Sequence, residues 1–132
     1  MVDRNGLPLV IQLTGANVHD SKQLLPLVDA LPALCVRQGV RHYPHKLHAD
    51  KAYDSTALRQ GLSDRFIIPR IARRGVESDQ GLGRYRWVVE RTNAWINQFR
   101  RLKVRYERRA DIHQAFLTLG CALICWRSLG RF

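Results

Sequence analysis

Val88, Thr92, Trp95, Phe99 and Leu102 recur at the spacing of one helical face, with Val89 and Ile96 widening the stripe. No other stretch constrains the fold as tightly. A helix with so wide an apolar stripe must bury it against a second layer, and Arg86, Glu90, Asn93, Asn97 and Arg101 fall on its polar side. The preceding sequence predicts that layer. Residues 7–14, 46–50 and 65–69 are short strand-forming runs, whereas residues 20–31 and 55–60 carry helical spacing and caps. The last helix opens with Asp111 and Gln114 as a capping box, and over 115–126 it is apolar almost all round and reads as buried. The order strand, helix, strand, helix, strand, helix, helix is that of an α/β protein, in which helices cover a largely parallel sheet.

Local signals set the expected boundaries. Asn5-Gly6 is a strong hairpin signal, a two-residue turn with positive φ at both positions. The arm before it, residues 1–4, is only a stub, which predicts that the chain begins inside a larger fold. Asp20 reads as an N-cap with Gln23 at the third helical position, and Pro26 predicts a late start or a kink. A second short helical stretch is expected from Pro32 to about Arg37. Asp54 is expected to cap the helix over 55–60 and Gly61 to end it, while Pro69 stops a buried strand. Residues 70–83 read as a mobile basic loop.

A chain of 132 residues fits one domain with no internal boundary over 1–132. With 45% apolar and 25% charged residues it lies outside the disordered and collagenous classes. The apolar run 115–126 is too short for the roughly 20 residues of a membrane span, and residues 1–6 carry no secretory pattern. Cys35, Cys121 and Cys125 cannot all pair within one chain, which fits a reducing compartment. A cytoplasmic location without a membrane partner is therefore expected.

The net charge of +11 points to a nucleic-acid partner. Residues 1–69 hold 8 basic and 6 acidic side chains, and residues 70–132 hold 14 and 5. Nearly all the excess lies in the second half, where Arg86, Arg100, Arg101, Lys103, Arg105, Arg108 and Arg109 are the candidate contacts to a DNA backbone.

Two acids could carry chemistry. Open α/β sheets place functional groups at the carboxyl ends of strands, the position expected of Asp50. Glu90 follows 40 residues later on the polar helix face, so both could converge as hard oxygen ligands for Mg²⁺ and phosphodiester chemistry. The plainer alternatives are a solvated turn residue at Asp50 and a weak helix ion pair between Glu90 and Arg86. Asp20 is explained by capping alone. His42, His45 and His48 are spaced by three, but Pro44 and the expected strand spoil a common face, so zinc is not expected. Cys121 and Cys125 read as small core residues.

Three blocks add a family resemblance. Gly15-Ala16-Asn17-Val18-His19-Asp20-Ser21, Ala49-Asp50-Lys51-Ala52-Tyr53-Asp54, and Arg86-Trp87-Val88-Val89-Glu90-Arg91-Thr92 with Phe99 and Arg101-Leu102-Lys103 resemble, in order and spacing, the C-terminal half of insertion-sequence transposases of the IS4/IS5 type. Gly83 and Asn97 stand where that family's signature often has Tyr and Lys. The resemblance implies an incomplete ribonuclease-H-like α/β fold, a mixed sheet flanked by helices, with the first strand or strands missing. It also implies a DDE triad that binds two divalent metals and cuts and joins DNA ends, with Asp50 and Glu90 as catalytic metal ligands. Arg86 would orient Glu90 or touch a phosphate. The first triad Asp would lie upstream of this chain, so Mg²⁺ or Mn²⁺ is expected only in a completed site. Implied partners are DNA, the N-terminal half of the transposase and a second transposase copy, in a bacterial cytoplasm. The alternatives are a non-catalytic DNA-binding remnant or regulator of transposition and, more remotely, a basic structural protein of the ribosome or nucleoid.

Overall fold

The computed structural model describes residues 1–31, 36–37, 40–41, 43–73 and 83–130, and the backbone alone at 36–37, 40–41 and 83–86. The expected loop over 70–83 therefore lies largely outside the described residues, as do Cys35 and His42. The chain divides into two compact units, one of Gly15–Tyr85 and one of Met1–Thr14 with Arg86–Phe132.

The Gly15–Tyr85 unit opens with a 3-10 turn, Asp20–Gln23, that leads into α1, Leu24–Ala30. Its cap is His19, whose Nδ1 accepts from the Ser21 amide at 3.2 Å, and not the expected Asp20. Pro26 sits in the first turn of α1, where an amide hydrogen has no helical partner to lose, so the helix accommodates it. Leu24, Val28 and Leu31 are buried. Of the second helical stretch expected to about Arg37, residues 32–35 lie outside the described residues, and Val36–Arg37 (β1) is extended and pairs antiparallel with Val40–Arg41 (β2).

Lys46–Ala49 (β3) pairs in parallel with Ile68–Ile71 (β4), with Leu47 opposite Pro69. Pro69 thus lies within the strand and does not stop it, as an edge position permits. Between them runs α2, Thr56–Ser63, capped by Ser55, whose Oγ accepts from the Leu58 amide. Asp54, the expected cap, instead binds Arg59 at 2.8 Å, and Arg59 also donates to the Ile71 carbonyl at 2.7 Å. The helix continues through Gly61, where a Cβ would lie 2.7 Å from Leu25, so glycine there sets how closely α2 approaches α1. Arg65 grips Asp29 with two bonds of 2.6 and 2.8 Å, and that guanidinium holds the Asp29 carboxyl below its usual range. Phe66, expected within a buried strand, is 92% exposed at φ 58°, in the turn before buried Ile67.

The other unit joins the first fourteen residues to the last helices. The turn at Asn5-Gly6 is not the two-residue type expected. Gly6 alone has positive φ (79°), and its amide donates to the Asp3 carbonyl, as in a type I turn closed by a glycine bulge. Asp3 Oδ1 accepts from the Asn5 and Leu7 amides and fixes the turn. Residues 7–14 form no ladder beyond the Val2–Pro8 bridge, and Leu9 is 38% exposed, so the expected buried strand is replaced by an extended segment. Side chains of the last helix satisfy it. Gln114 accepts from the Leu13 amide at 2.6 Å and donates to the Ile11 carbonyl at 3.3 Å, while Cys125 Sγ lies 3.6 Å from the Pro8 carbonyl.

The long helix α3 spans Gly83–Asn97, and its buried stripe includes Val88 and Thr92. Val89, expected to widen that stripe, is 50% exposed. The helix ends before Phe99, which is extended, and a separate turn α4, Arg100–Lys103, carries Leu102. After a connector comes α5, Ala110–Leu129, without the side-chain cap expected from Asp111, since Gln114 is engaged with residues 11 and 13. Only one face of α5 is covered. His113, Gly120, Cys121 and Ile124 are buried, whereas Leu119, Trp126 and Leu129 are 56, 73 and 67% exposed, contrary to the wholly buried helix expected. At 20 residues it reaches membrane-span length and apolarity by composition alone, beyond the shorter run read from the sequence.

Candidate functional site

Asp50 lies immediately after β3, at its C-terminal end, because the chain leaves the strand there into a 3-10 turn, Lys51–Tyr53. Its Oδ1 accepts from the Ala52 amide at 2.8 Å, which fixes the carboxylate at the strand tip, and the residue is exposed. Tyr53 follows three residues on. Burial first, then the Asp20 and Asp50 carboxylates, push its hydroxyl above the usual tyrosine range. Asp20 and Asp50 therefore both act on one phenol within the Gly15–Tyr85 unit. Nearby, His48 pairs across the sheet with Arg70, and burial, Arg70 and Lys46 together lower its pKa.

Glu90 belongs to the other unit, on the exposed side of α3 with Asn93 and Asn97. The side chain of Arg86 lies outside the described residues. Immediately after Glu90, two contacts fix the helix against the N-terminal turn. Thr92 Oγ1 donates to the Gly6 carbonyl at 2.6 Å, and Arg91 donates to the Asn5 carbonyl. The Arg91 guanidinium stacks between Trp87, 4.5 Å from the ring centre, and Trp95, at 5.0 Å. The spacing of 87, 91 and 95 puts these three on one helical line, a signal that the sequence reading leaves unused.

The cationic residues divide by what holds them. Arg100, Lys103 and Arg108 are exposed. Arg101 is bound to Glu107 at 2.7 Å, Arg105 folds back onto the Glu107 carbonyl at 3.0 Å, and Arg109 grips Asp111 at 2.5 and 3.1 Å. Glu107 is absent from the sequence reading, yet its side chain is only 6% exposed, and His113 Nδ1 lies 3.6 Å from its other oxygen. Burial pushes this carboxyl up, but the bond from Arg101, its own amide and the nearby His113 ring outweigh that and hold it below the usual range. A lone acid in a run of cations is the available signal.

Among the described residues no three histidine, cysteine or acidic side chains gather as a metal site. Asp50 and Glu90 are nonetheless hard oxygen donors of the kind Mg²⁺ or Mn²⁺ takes, so the donor chemistry fits a divalent cation.

Comparison with known proteins gives the family. The model of the Transposase DDE domain matches residues 1–125. A putative transposase for insertion sequence element IS402 from Burkholderia cepacia is 56% identical over 135 residues, covering 99% of this chain and 63% of that protein. The transposase for insertion sequence element IS1106 from Neisseria meningitidis serogroup B is 30% identical over 118 residues, covering 82% of this chain and 36% of that protein. The chain thus spans less than two thirds of either relative. No solved structure matches it. The three blocks around Asp20, Asp50 and Glu90 all fall within the matched residues, and the mixed α/β architecture with its parallel strand pair is compatible with the ribonuclease-H-like fold that such a domain implies: the chain belongs to the Transposase DDE domain family.

Proposed function

We propose that this chain is the C-terminal portion of the catalytic domain of an insertion-sequence transposase, and that it acts in DNA transposition by binding, cutting and joining element ends. The observation that carries this reading is the match to the DDE domain over residues 1–125, which includes an exposed Asp50 at a strand tip and an exposed Glu90 on α3. In this reading Asp50 and Glu90 are two acids of the triad, and the first Asp comes from the part of the longer relatives that this chain does not match. The ribonuclease-H-like sheet is then completed by strands from that part, and the chain alone does not cleave DNA.

Asp50 and Glu90 would supply carboxylate ligands to Mg²⁺ or Mn²⁺ in the completed domain, and the ion would supply stabilisation of negative charge in phosphodiester chemistry. Arg86 orients Glu90 or meets a phosphate. Arg100, Arg101, Lys103, Arg105, Arg108 and Arg109 track the DNA backbone and supply affinity and register. The partners are DNA, the N-terminal part of the transposase and a second copy, on DNA in the bacterial cytoplasm. A second reading, a non-catalytic DNA-binding regulator of transposition, rests on the basic second half of the chain, which would serve DNA binding without chemistry.

The test is cleavage of an element-end DNA in Mg²⁺ by a protein in which the part of the IS402 relative that this chain does not match is joined to it. Cleavage that is lost in both Asp50→Asn and Glu90→Gln, with DNA binding retained, is the expected result. An inactive fusion that still binds element ends selects the regulator. Activity in either variant removes that residue from the site.

A further inference from the structure

Between Arg100 and Arg109 the only acid is Glu107, and the contacts of that basic stretch converge on it. Its partners come from three successive elements. Arg101 of α4 donates to Oε1 at 2.7 Å, Arg105 of the connector donates to the backbone carbonyl at 3.0 Å, and His113 of α5 sets its Nδ1 3.6 Å from Oε2. Oε2 and that Nδ1 are buried and have no hydrogen-bond partner among the described residues, so each faces the other.

The pair of Arg101 and Glu107 has a direction. The Glu107 side chain is 6% exposed and that of Arg101 61%, so the acid is the anchor beneath and the cation reaches in from outside, over the Phe116 ring of α5 at 5.2 Å. A carboxylate that competed with phosphate for its arginine would stand at the surface, as Asp111 stands beside Arg109, at 63 and 72% exposure. The turn α4 needs such an anchor. It has four residues, lies between the extended Phe99 and Val104, and carries no side-chain cap, and one helical turn does not hold itself in water.

We propose that Glu107 is a positioning residue for DNA binding. Through Arg101 it ties α4 to the connector, so that Arg100 and Lys103 on α4 and Arg108 beyond the acid, all exposed, form one fixed array of cations for a phosphate backbone. The physical reason is preorganisation: cations on a segment that must first be ordered lose affinity to that ordering, whereas a fixed array sets register on the phosphates. The acid thus favours binding against the sign of its own charge. This inference rests on the reading of the segment as a DNA contact and adds to it a residue that charge alone would count as harmful.

The experiment is salt titration of a labelled duplex by the full chain, comparing the parent with Glu107→Gln, Arg101→Ala and the double variant, whose net charge equals the parent's because one anion and one cation are lost together. Glu107→Gln raises the net charge by one, yet it should bind about fivefold more weakly, with the slope of log K against log salt reduced by about 0.9, one phosphate contact. Arg101→Ala should lose a similar amount. The double variant should bind no more weakly than either single variant, because the two residues act as a pair. Thr92→Val, which loosens the same unit away from this segment, should keep the parent's slope, and that separates positioning from a general loss of stability. Should Glu107→Gln lose its helical circular dichroism, the comparison passes to Arg101→Ala beside Arg109→Ala, which remove the same charge: a larger loss in Arg101→Ala supports the proposal and equal losses overturn it. A parent that binds no duplex at any salt overturns the DNA reading and the proposal with it. A parent that binds, with Glu107→Gln binding as tightly or more tightly, or with single losses that add in the double variant, overturns the proposal alone.

Discussion

The hydroxyl of Thr92 donates a 2.6 Å hydrogen bond to the carbonyl of Gly6, a residue 86 positions away in the sequence. Thr92 is 3% exposed, and its single hydroxyl proton lies between the Gly6 carbonyl and the Val88 carbonyl one turn back, at 3.1 Å, with the shorter contact to Gly6. The N-terminal turn and the helix that carries Glu90 are fastened at this point.

Thr92→Val keeps the shape and removes the bond, and the Gly6 carbonyl then loses a partner. The expected loss is about 1 kcal/mol of unfolding free energy, read as a lower urea midpoint at unchanged slope. Gly6→Ala should cost more. A left-handed φ of 79° is strained for alanine by about 1–2 kcal/mol, and its Cβ would lie 3.1–3.2 Å from Thr92, Arg91 and the Val88 carbonyl.

Glu107 gives the unit an acid limb. Its folded pKa is held below the ordinary glutamate value, so its contribution to stability is complete above that value and is lost as the pH falls through the folded pKa. The window lies below about pH 4. Urea midpoints measured against pH should fall there, with Asp111, held down by Arg109, acting in the same direction. Glu107→Gln should lower stability at neutral pH and flatten the decline.

Substitution at Asp50 should separate capping from chemistry. Asn accepts the Ala52 amide about as well as Asp, so Asp50→Asn should melt within a degree or two of the parent, while Asp50→Ala should lose about 1 kcal/mol. Differential scanning calorimetry of the two variants checks this, and equal losses in both would mean that the carboxylate charge matters to the fold.

DNA affinity should fall steeply with salt, by roughly 0.9 in log K per log salt for each phosphate neutralised on a duplex. Substituting Arg100, Lys103 and Arg108 with Ala should reduce that slope most. Arg109 is already gripped by Asp111 and Arg101 by Glu107, so each should matter less alone. Salt titrations of fluorescently labelled duplex measure the slopes, and a slope near zero for the parent would remove the phosphate contacts altogether.

Legible in the sequence are the local patterns with a strong period or a strong chain constraint. The α3 stripe at Val88 and Thr92, the turn at Gly6, and Asp50 at a strand end are all readable, because each depends on residues a few positions apart. Capping is legible only in kind. Asp20, Asp54 and Asp111 all read as caps, yet His19 and Ser55 cap the first two elements while Asp54 and Asp111 bind arginines, and single-residue choices among neighbouring polar groups depend on tertiary partners. Residues 7–14 look like a buried strand because they are apolar, but Gln114 from more than 100 positions away supplies the hydrogen bonds of Ile11 and Leu13. Glu107 is invisible for the same reason: its partners Arg101 and His113 lie on separate helices, and nothing local marks it as buried. The double face of α5 escapes a sequence reading because apolarity alone cannot distinguish a helix covered on all sides from one with a free side.

The separation of Leu13 from Gln114 also bears on synthesis. Their 101-residue spacing means that Leu13 is translated roughly 5–20 s before its partner at about 5–20 residues per second. The Gly15–Tyr85 unit, whose strands β3 and β4 lie close in sequence, can be complete within that interval. Residues 1–10 can already close their own turn, but the backbone of Ile11 and Leu13 must wait in the nascent chain until Gln114 of the last helix is made.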